Sequence, residues 1–127
     1  MKYLTLPLNS NIQTTALTGC YSLKSLTLPA GQTNNPMVSS CYELESISIP
    51  NGITQVSFSS CYSLELITLP DTVTSLNSYA FYYCYKLKHI VLPNAITEIP
   101  QFTFCNCYTL QSITLPEEIT NISSYAF

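Results

Sequence analysis

The stretch Cys107–Pro116, CYTLQSITLP, decides how the whole chain is read, because it is the fifth copy of one frame. The same frame appears as CYSLKSLTLP from Cys20, CYELESISIP from Cys41, CYSLELITLP from Cys61 and CYKLKHIVLP from Cys84. A half-copy, MKYLTLP, opens the chain. The shared pattern is C-Y-x-L-x-x-[LI]-x-[LI]-P, closed by Pro7, Pro29, Pro50, Pro70, Pro93 and Pro116 at spacings of 22, 21, 20, 23 and 23 residues. Self-similarity at a fixed period of this size is the mark of a stacked repeat architecture.

Each copy ends by alternating apolar and polar residues, as in Leu26-Thr27-Leu28 and Ile113-Thr114-Leu115. A period of two means a short strand with one face buried. The proline that follows has no N–H to extend a ladder, and so it favours a turn. Past the proline, apolar residues recur three apart: Ile53 and Val56, Val73 and Leu76, Ile96 and Ile99, Ile119 and Ile122. Another apolar residue stands three before each cysteine, at Leu17, Val38, Phe58, Phe81 and Phe104, and Phe127 occupies that place in the last copy. One such unit cannot bury these side chains by itself, whereas stacked units can, with each strand about 4.8 Å from the next. The expected architecture is a right-handed solenoid with one parallel β-sheet of about six short strands. The opposite wall should be irregular or 3₁₀, with little α-helix, since its segments are rich in Ser, Asn and Thr.

The frame F-x-x-C-x-x-L-x-x-I-x-L-P, seen at Phe81–Pro93 and Phe104–Pro116, resembles the BspA-like (Treponema pallidum-type) leucine-rich repeat family over essentially the whole chain. The resemblance implies a leucine-rich-repeat solenoid in a secreted or cell-surface protein engaged in adhesion or host contact. Residues 1–127 then form a single repeat domain of about six repeats, the first and last incomplete. The proline-to-cysteine segments of the first half are shorter than the family unit, and AGQTNNPMVSS (Ala30–Ser40) matches it least. Irregularity or looseness is expected there. No cap is recognisable at either end, so the chain reads as a piece of a longer array whose open ends favour end-to-end stacking with itself.

Composition excludes several function classes. Only 9% of the 127 residues are charged, with four lysines, no arginine, seven acids and a net charge of −3. Nucleic-acid binding needs clustered Lys and Arg to neutralise phosphates, so it is not expected. No apolar run reaches the ~18 residues of a membrane span, and no signal-peptide h-region follows Met1. No phosphate loop, nucleophile elbow or His/Asp set occurs, and one histidine leaves most hydrolytic schemes without a base. The chain is expected to be no enzyme and to bind no cofactor. Glu43, Glu45 and Glu65 read as a cluster with no basic partner beside it, Lys86 and Lys88 filling the matching columns of a later copy.

Cys20, Cys41, Cys61, Cys84 and Cys107 share one repeat position and form a structural ladder. Stacking puts neighbouring Cα atoms near a bridgeable distance, but parallel side chains and an odd number argue for buried free thiols over disulfides. Metal ligation requires convergent ligands, and His89 lies in a strand away from the cysteine corner. Cys105, next but one to Cys107, aligns with Thr18, Ser39, Ser59 and Tyr82 and is expected at the surface.

Candidate partner-binding residues fall in two groups. Tyr21, Tyr42, Tyr62, Tyr85 and Tyr108 each follow a cysteine and should stack on one another. Such a stripe either seals the solenoid or offers rigid amphipathic area to a protein or glycan. On the exposed sheet face the columns read Thr5, Thr27, Ser48, Thr68, Val91, Thr114 and Tyr3, Ser25, Ser46, Leu66, His89, Ser112. Leu66, His89 and Val91 interrupt the hydroxyls on adjacent strands and mark the candidate contact patch. The favoured function is a non-catalytic interaction or adhesion module that binds a host or extracellular-matrix protein through this face. The alternatives are an intracellular scaffold or recognition arm of a larger effector protein, or a purely structural spacer.

Overall fold

The structure, a computed structural model, describes residues 1–127. Nine short strands follow one another: β1 (Tyr3–Thr5), β2 (Ser25–Thr27), β3 (Ser46–Ser48), β4 (Gln55–Val56), β5 (Ser75–Leu76), β6 (His89–Val91), β7 (Glu98–Ile99), β8 (Ser112–Thr114) and β9 (Asn121–Ile122). All pairings are parallel and join equivalent positions of successive repeats, such as Leu4 with Leu26 and Leu26 with Ile47. The chain is a parallel β-solenoid without α-helix.

The strands of the C-Y-x-L frame make one wall, as expected. The opposite wall has no 3₁₀ segment; it is built of turns and the two-residue pairs β4–β5 and β7–β9. Those pairs grow from the apolar residues past each proline. Val56, Leu76 and Ile99 point inward, and the intervening backbone finds its partners in the next coil rather than within its own.

The local chain path repeats because the turn chemistry repeats. In each copy the N–H of the frame leucine bonds back to the cysteine carbonyl at 3.0–3.2 Å, as from Leu87 to Cys84. One turn earlier, the N–H of Cys61, Cys84 and Cys107 bonds to the carbonyl of Phe58, Phe81 and Phe104. Two consecutive tight turns need a residue at positive φ between them. Gly19, Ser40, Ser60, Tyr83 and Asn106, each immediately before its cysteine, have φ between 55° and 74°. Only glycine, and to a lesser degree asparagine, adopts that region without penalty.

The core is one continuous column of 27 buried apolar residues. Phe58, Phe81, Phe104 and Phe127 stack along it at centroid separations of 5.7, 5.3 and 5.6 Å. Leu44, Leu64 and Leu87 are fully buried beside them. Each such leucine contributes about 2 kcal/mol of transfer free energy, so the repeat rather than any single unit carries the fold.

The segment Ala30–Ser40 is irregular but tied down. Asn35 Oδ1 accepts the N–H groups of Thr54 and Gln55 at 3.0 and 3.1 Å, and the Asn34 amide reaches the Ile12 carbonyl. Side-chain amides here replace the backbone ladder that the shortened repeat cannot make. The side-chain amide oxygen, Oε1, of buried Gln32 has no hydrogen-bond partner.

Candidate functional site

The exposed sheet face keeps the expected register but does not hydrogen-bond as one six-stranded sheet. β1, β2 and β3 form one unit and β6 and β8 another. The rung between them, Leu66–Leu69, touches its neighbours through a single parallel bridge from Leu66 to His89. Beyond that bridge, no backbone hydrogen bond joins Thr68 or Leu69 to either adjoining rung. The interruption falls where the proline spacing changes from 20 to 23 residues, at Pro70. A change of one residue, from 22 to 21, leaves β1, β2 and β3 paired, whereas the change of three here coincides with the break.

A groove of about 470 Å³ opens at that break, lined by residues including Leu66, Thr68, Asp71, His89, Val91 and Asn94. It contains all three residues of the candidate contact patch. Leu66 is 62% exposed and Val91 64%, among hydroxyl-bearing neighbours on the same face. His89 Nδ1 shares a 2.7 Å hydrogen bond with Ser112 Oγ in the next rung, which holds the ring along the sheet.

The charges of this face are ordered. The four lysines, Lys2, Lys24, Lys86 and Lys88, all precede a strand, whereas Asp71, Glu117 and Glu118 follow a proline at its far end. Contrary to expectation, two of the clustered glutamates have basic partners. Lys24 Nζ meets Glu45 Oε1 at 2.9 Å and Lys88 Nζ meets Glu65 Oε2 at 2.8 Å. Lys24, Glu45, Glu65 and Lys88 occupy one repeat column, so the neighbour that matters lies one coil away rather than nearby in sequence. The hydrogen bond from Lys88 holds the Glu65 carboxyl below its usual range, and the bond to Glu45 raises Lys24. Asp71, Glu117 and Glu118 form no ion pair, leaving the proline end of the face acidic.

The tyrosine ladder is continuous. Tyr21, Tyr42, Tyr62, Tyr85 and Tyr108 follow one another at 5.0, 4.6, 4.9 and 5.4 Å. A second ladder, Tyr79–Phe102–Tyr125 at 5.0 and 5.1 Å, was missed in the sequence. Its signal was there: the aromatic-x-Phe triplets at 79–81, 102–104 and 125–127. Tyr82 and Tyr83 bridge the two ladders. Ring faces in the interior of each ladder are covered by neighbouring rings, so there it presents edges and hydroxyls outward.

The cysteine ladder holds six free thiols when Cys105 is included. Cys41, Cys61 and Cys84 are buried, but Cys20 and Cys107 are only half-buried. Cys105 is half-buried beside Phe127 rather than open at the surface. Four ladder thiols share one hydrogen bond: Cys41, Cys61, Cys84 and Cys107 donate to the carbonyls of Leu17, Val38, Phe58 and Phe81 at 3.1–3.2 Å. A valine of similar size could fill the space but could not donate, which explains cysteine at this position. Burial raises the Cys84 thiol well above its ordinary value and pushes Cys107 up to about 12.

No group of three or more His, Cys, Asp or Glu side chains converges as a metal site, and although His89 bonds Ser112 Oγ, no carboxylate bonds its ring to complete a triad. No catalytic constellation assembles. No helix is long and apolar enough to cross a membrane.

Comparison with known proteins agrees with this geometry. The family model described as BspA type leucine rich repeat region matches residues 1–57 and 35–127. No curated protein matches significantly. A leucine rich cell surface protein from Faecalibacterium prausnitzii is similar at 28% identity and a TM-score of 0.83, over 90% of this chain and 32% of its own. A leucine-rich repeat protein from Eubacterium ventriosum is similar at 27% identity and a TM-score of 0.78, over 88% of this chain and 32% of its own. The T. pallidum leucine rich repeat protein shares the fold at 22% identity and a TM-score of 0.66, over 98% of this chain and 76% of its own. The chain thus spans about a third of the length of the first two.

Proposed function

Because the chain belongs to the BspA-type leucine-rich repeat family, we propose that it is a non-catalytic protein-interaction module of a secreted or cell-surface protein, used in adhesion. One observation carries this reading. Leu66 and Val91 stand more than half exposed at the mouth of a groove, on a sheet face whose other columns are mostly small hydroxyls. Flanking serines and threonines let a partner approach closely, and the two aliphatic side chains supply desolvated area at the centre of contact. The cell-surface name of the F. prausnitzii protein supports the location. A host or extracellular-matrix protein is the partner class this surface suits. The tyrosine ladders favour a sealing role over glycan stacking, since their ring faces cover one another.

The test is saturable binding of the fluorescently labelled chain to immobilised extracellular-matrix proteins and to cultured epithelial cells. The double variant Leu66→Asp with Val91→Asp should abolish binding, while Thr97→Asp on the opposite wall should leave it intact. Absence of binding, or equal binding by both variants, contradicts the reading.

A further inference from the structure

The chemistry of the groove narrows the kind of partner. The rungs that line it have stacked neighbours, Tyr62 lying 4.6 and 4.9 Å from Tyr42 and Tyr85. The face therefore offers side chains and no sheet edge, so a partner seated on it must satisfy its own main-chain groups. A helix does so. Leu66 and Val91 make one part of the groove apolar, and the proline end adds Asp71 and Asn94. Asn94 also lines a second hollow of about 370 Å³, together with Glu117 and Glu118. Asp71, Asn94 and Glu117 each follow the proline of successive coils and form a row that closes the face. Two rung spacings put Asp71 and Glu117 about 10 Å apart. None of these carboxylates forms an ion pair, and all four lysines precede a strand, at the far end of the face.

We propose that the groove receives a basic amphipathic helix of the partner, read by its side chains alone. One apolar side chain seats between Leu66 and Val91. The acidic row begins three residues beyond Val91, about 10 Å along an extended chain, and seven helical residues rise the same distance. Lysine or arginine two helical turns from the apolar anchor therefore meets Asp71 and Glu117. The apolar contact supplies the affinity, while the unpaired carboxylates steer and select a basic partner over an acidic one. This inference rests on the sheet face being the binding surface.

The probes are blocked, lactam-stapled, alanine-rich helices of about sixteen residues, each with one leucine and two lysines two turns away. One carries the lysines before the leucine and the other after it, because the groove accepts either helix direction. Titrated into the intact chain by NMR, at least one should bind and shift the Leu66 and Val91 methyl signals. Replacing its lysines by glutamate should weaken binding by about tenfold or more, and Asp71→Asn in the chain should weaken it a few-fold, less so at high salt. Leu66→Ser with Val91→Ser, which restores the hydroxyl columns of the face, should abolish binding. Failure of both lysine helices to bind, equal binding of the glutamate helix, or binding that survives the double serine variant overturns the inference. The broader reading survives that result if matrix or cell binding still depends on Leu66 and Val91, and falls if it does not.

Discussion

The Cys84 thiol donates to the carbonyl oxygen of Phe58, 3.2 Å away in the preceding repeat, and that same oxygen accepts the N–H of Cys61. One carbonyl thereby ties its own turn to the next coil. Replacing Cys84 by alanine removes both the bond and buried volume, and should destabilise the chain by about 2 kcal/mol in chemical denaturation. Cys20→Ala should cost well under half of that, since Cys20 is half-buried and forms no such bond.

The thiols should also differ in reactivity. Cys41, Cys61 and Cys84 should resist an alkylating reagent in the folded chain and react only on unfolding. Cys107 has its pKa raised to about 12 by burial, so its thiolate remains scarce between pH 7 and 9 and raising pH across that window should not label it. Cys20 and Cys105 should label first. Mass spectrometry of proteolytic fragments reads this directly, and early labelling of Cys61 or Cys84 would contradict the buried ladder.

The left-handed residue before each cysteine makes a conformational prediction. A Cβ at Gly19 would meet only the Tyr21 ring at an ordinary 3.6 Å, so the cost of Gly19→Ala is the backbone's, about 1 kcal/mol. The reverse change at an equivalent position, Ser60→Gly, should stabilise by about half a kcal/mol after the added freedom of the unfolded chain is counted. Thermal melts of the two variants should move in opposite directions.

Tyr85 packs against Tyr62, Tyr108 and Tyr83, whereas Tyr108 stacks on Tyr85 alone and is 74% exposed. Each aromatic pair is worth about 1 kcal/mol, so Tyr85→Ala should cost about two to three times what Tyr108→Ala costs. Equal costs would mean that the ladder lies on the surface without stabilising it.

Most of this architecture is legible in the frame itself. Alternation places Leu26 and Ile113 inward, the prolines close the strands, and the repeated frame stacks Cys41 on Cys61 and Tyr42 on Tyr62. Features that depend on a neighbouring coil were harder to read. The pairing of Glu45 with Lys24 is invisible until the repeats are laid in register, because 21 residues separate them. The two-residue strands of the second wall lack a period long enough to detect. The break at Thr68–Leu69 coincides with a three-residue change in proline spacing, whose consequence for the ladder only three dimensions reveal. Leu66, His89 and Val91 stood out as departures from a column, and the groove coincides with them for the same reason: the repeat changes there.

Native-state amide hydrogen exchange on the free chain tests the central structural claim most directly. The Leu28 and Leu92 amides, bonded to the Ser48 and Thr114 carbonyls, should be slow, while Thr68 and Leu69 between those units exchange fast. Protection at Thr68 and Leu69 equal to that at Leu28 and Leu92 would mean an unbroken ladder.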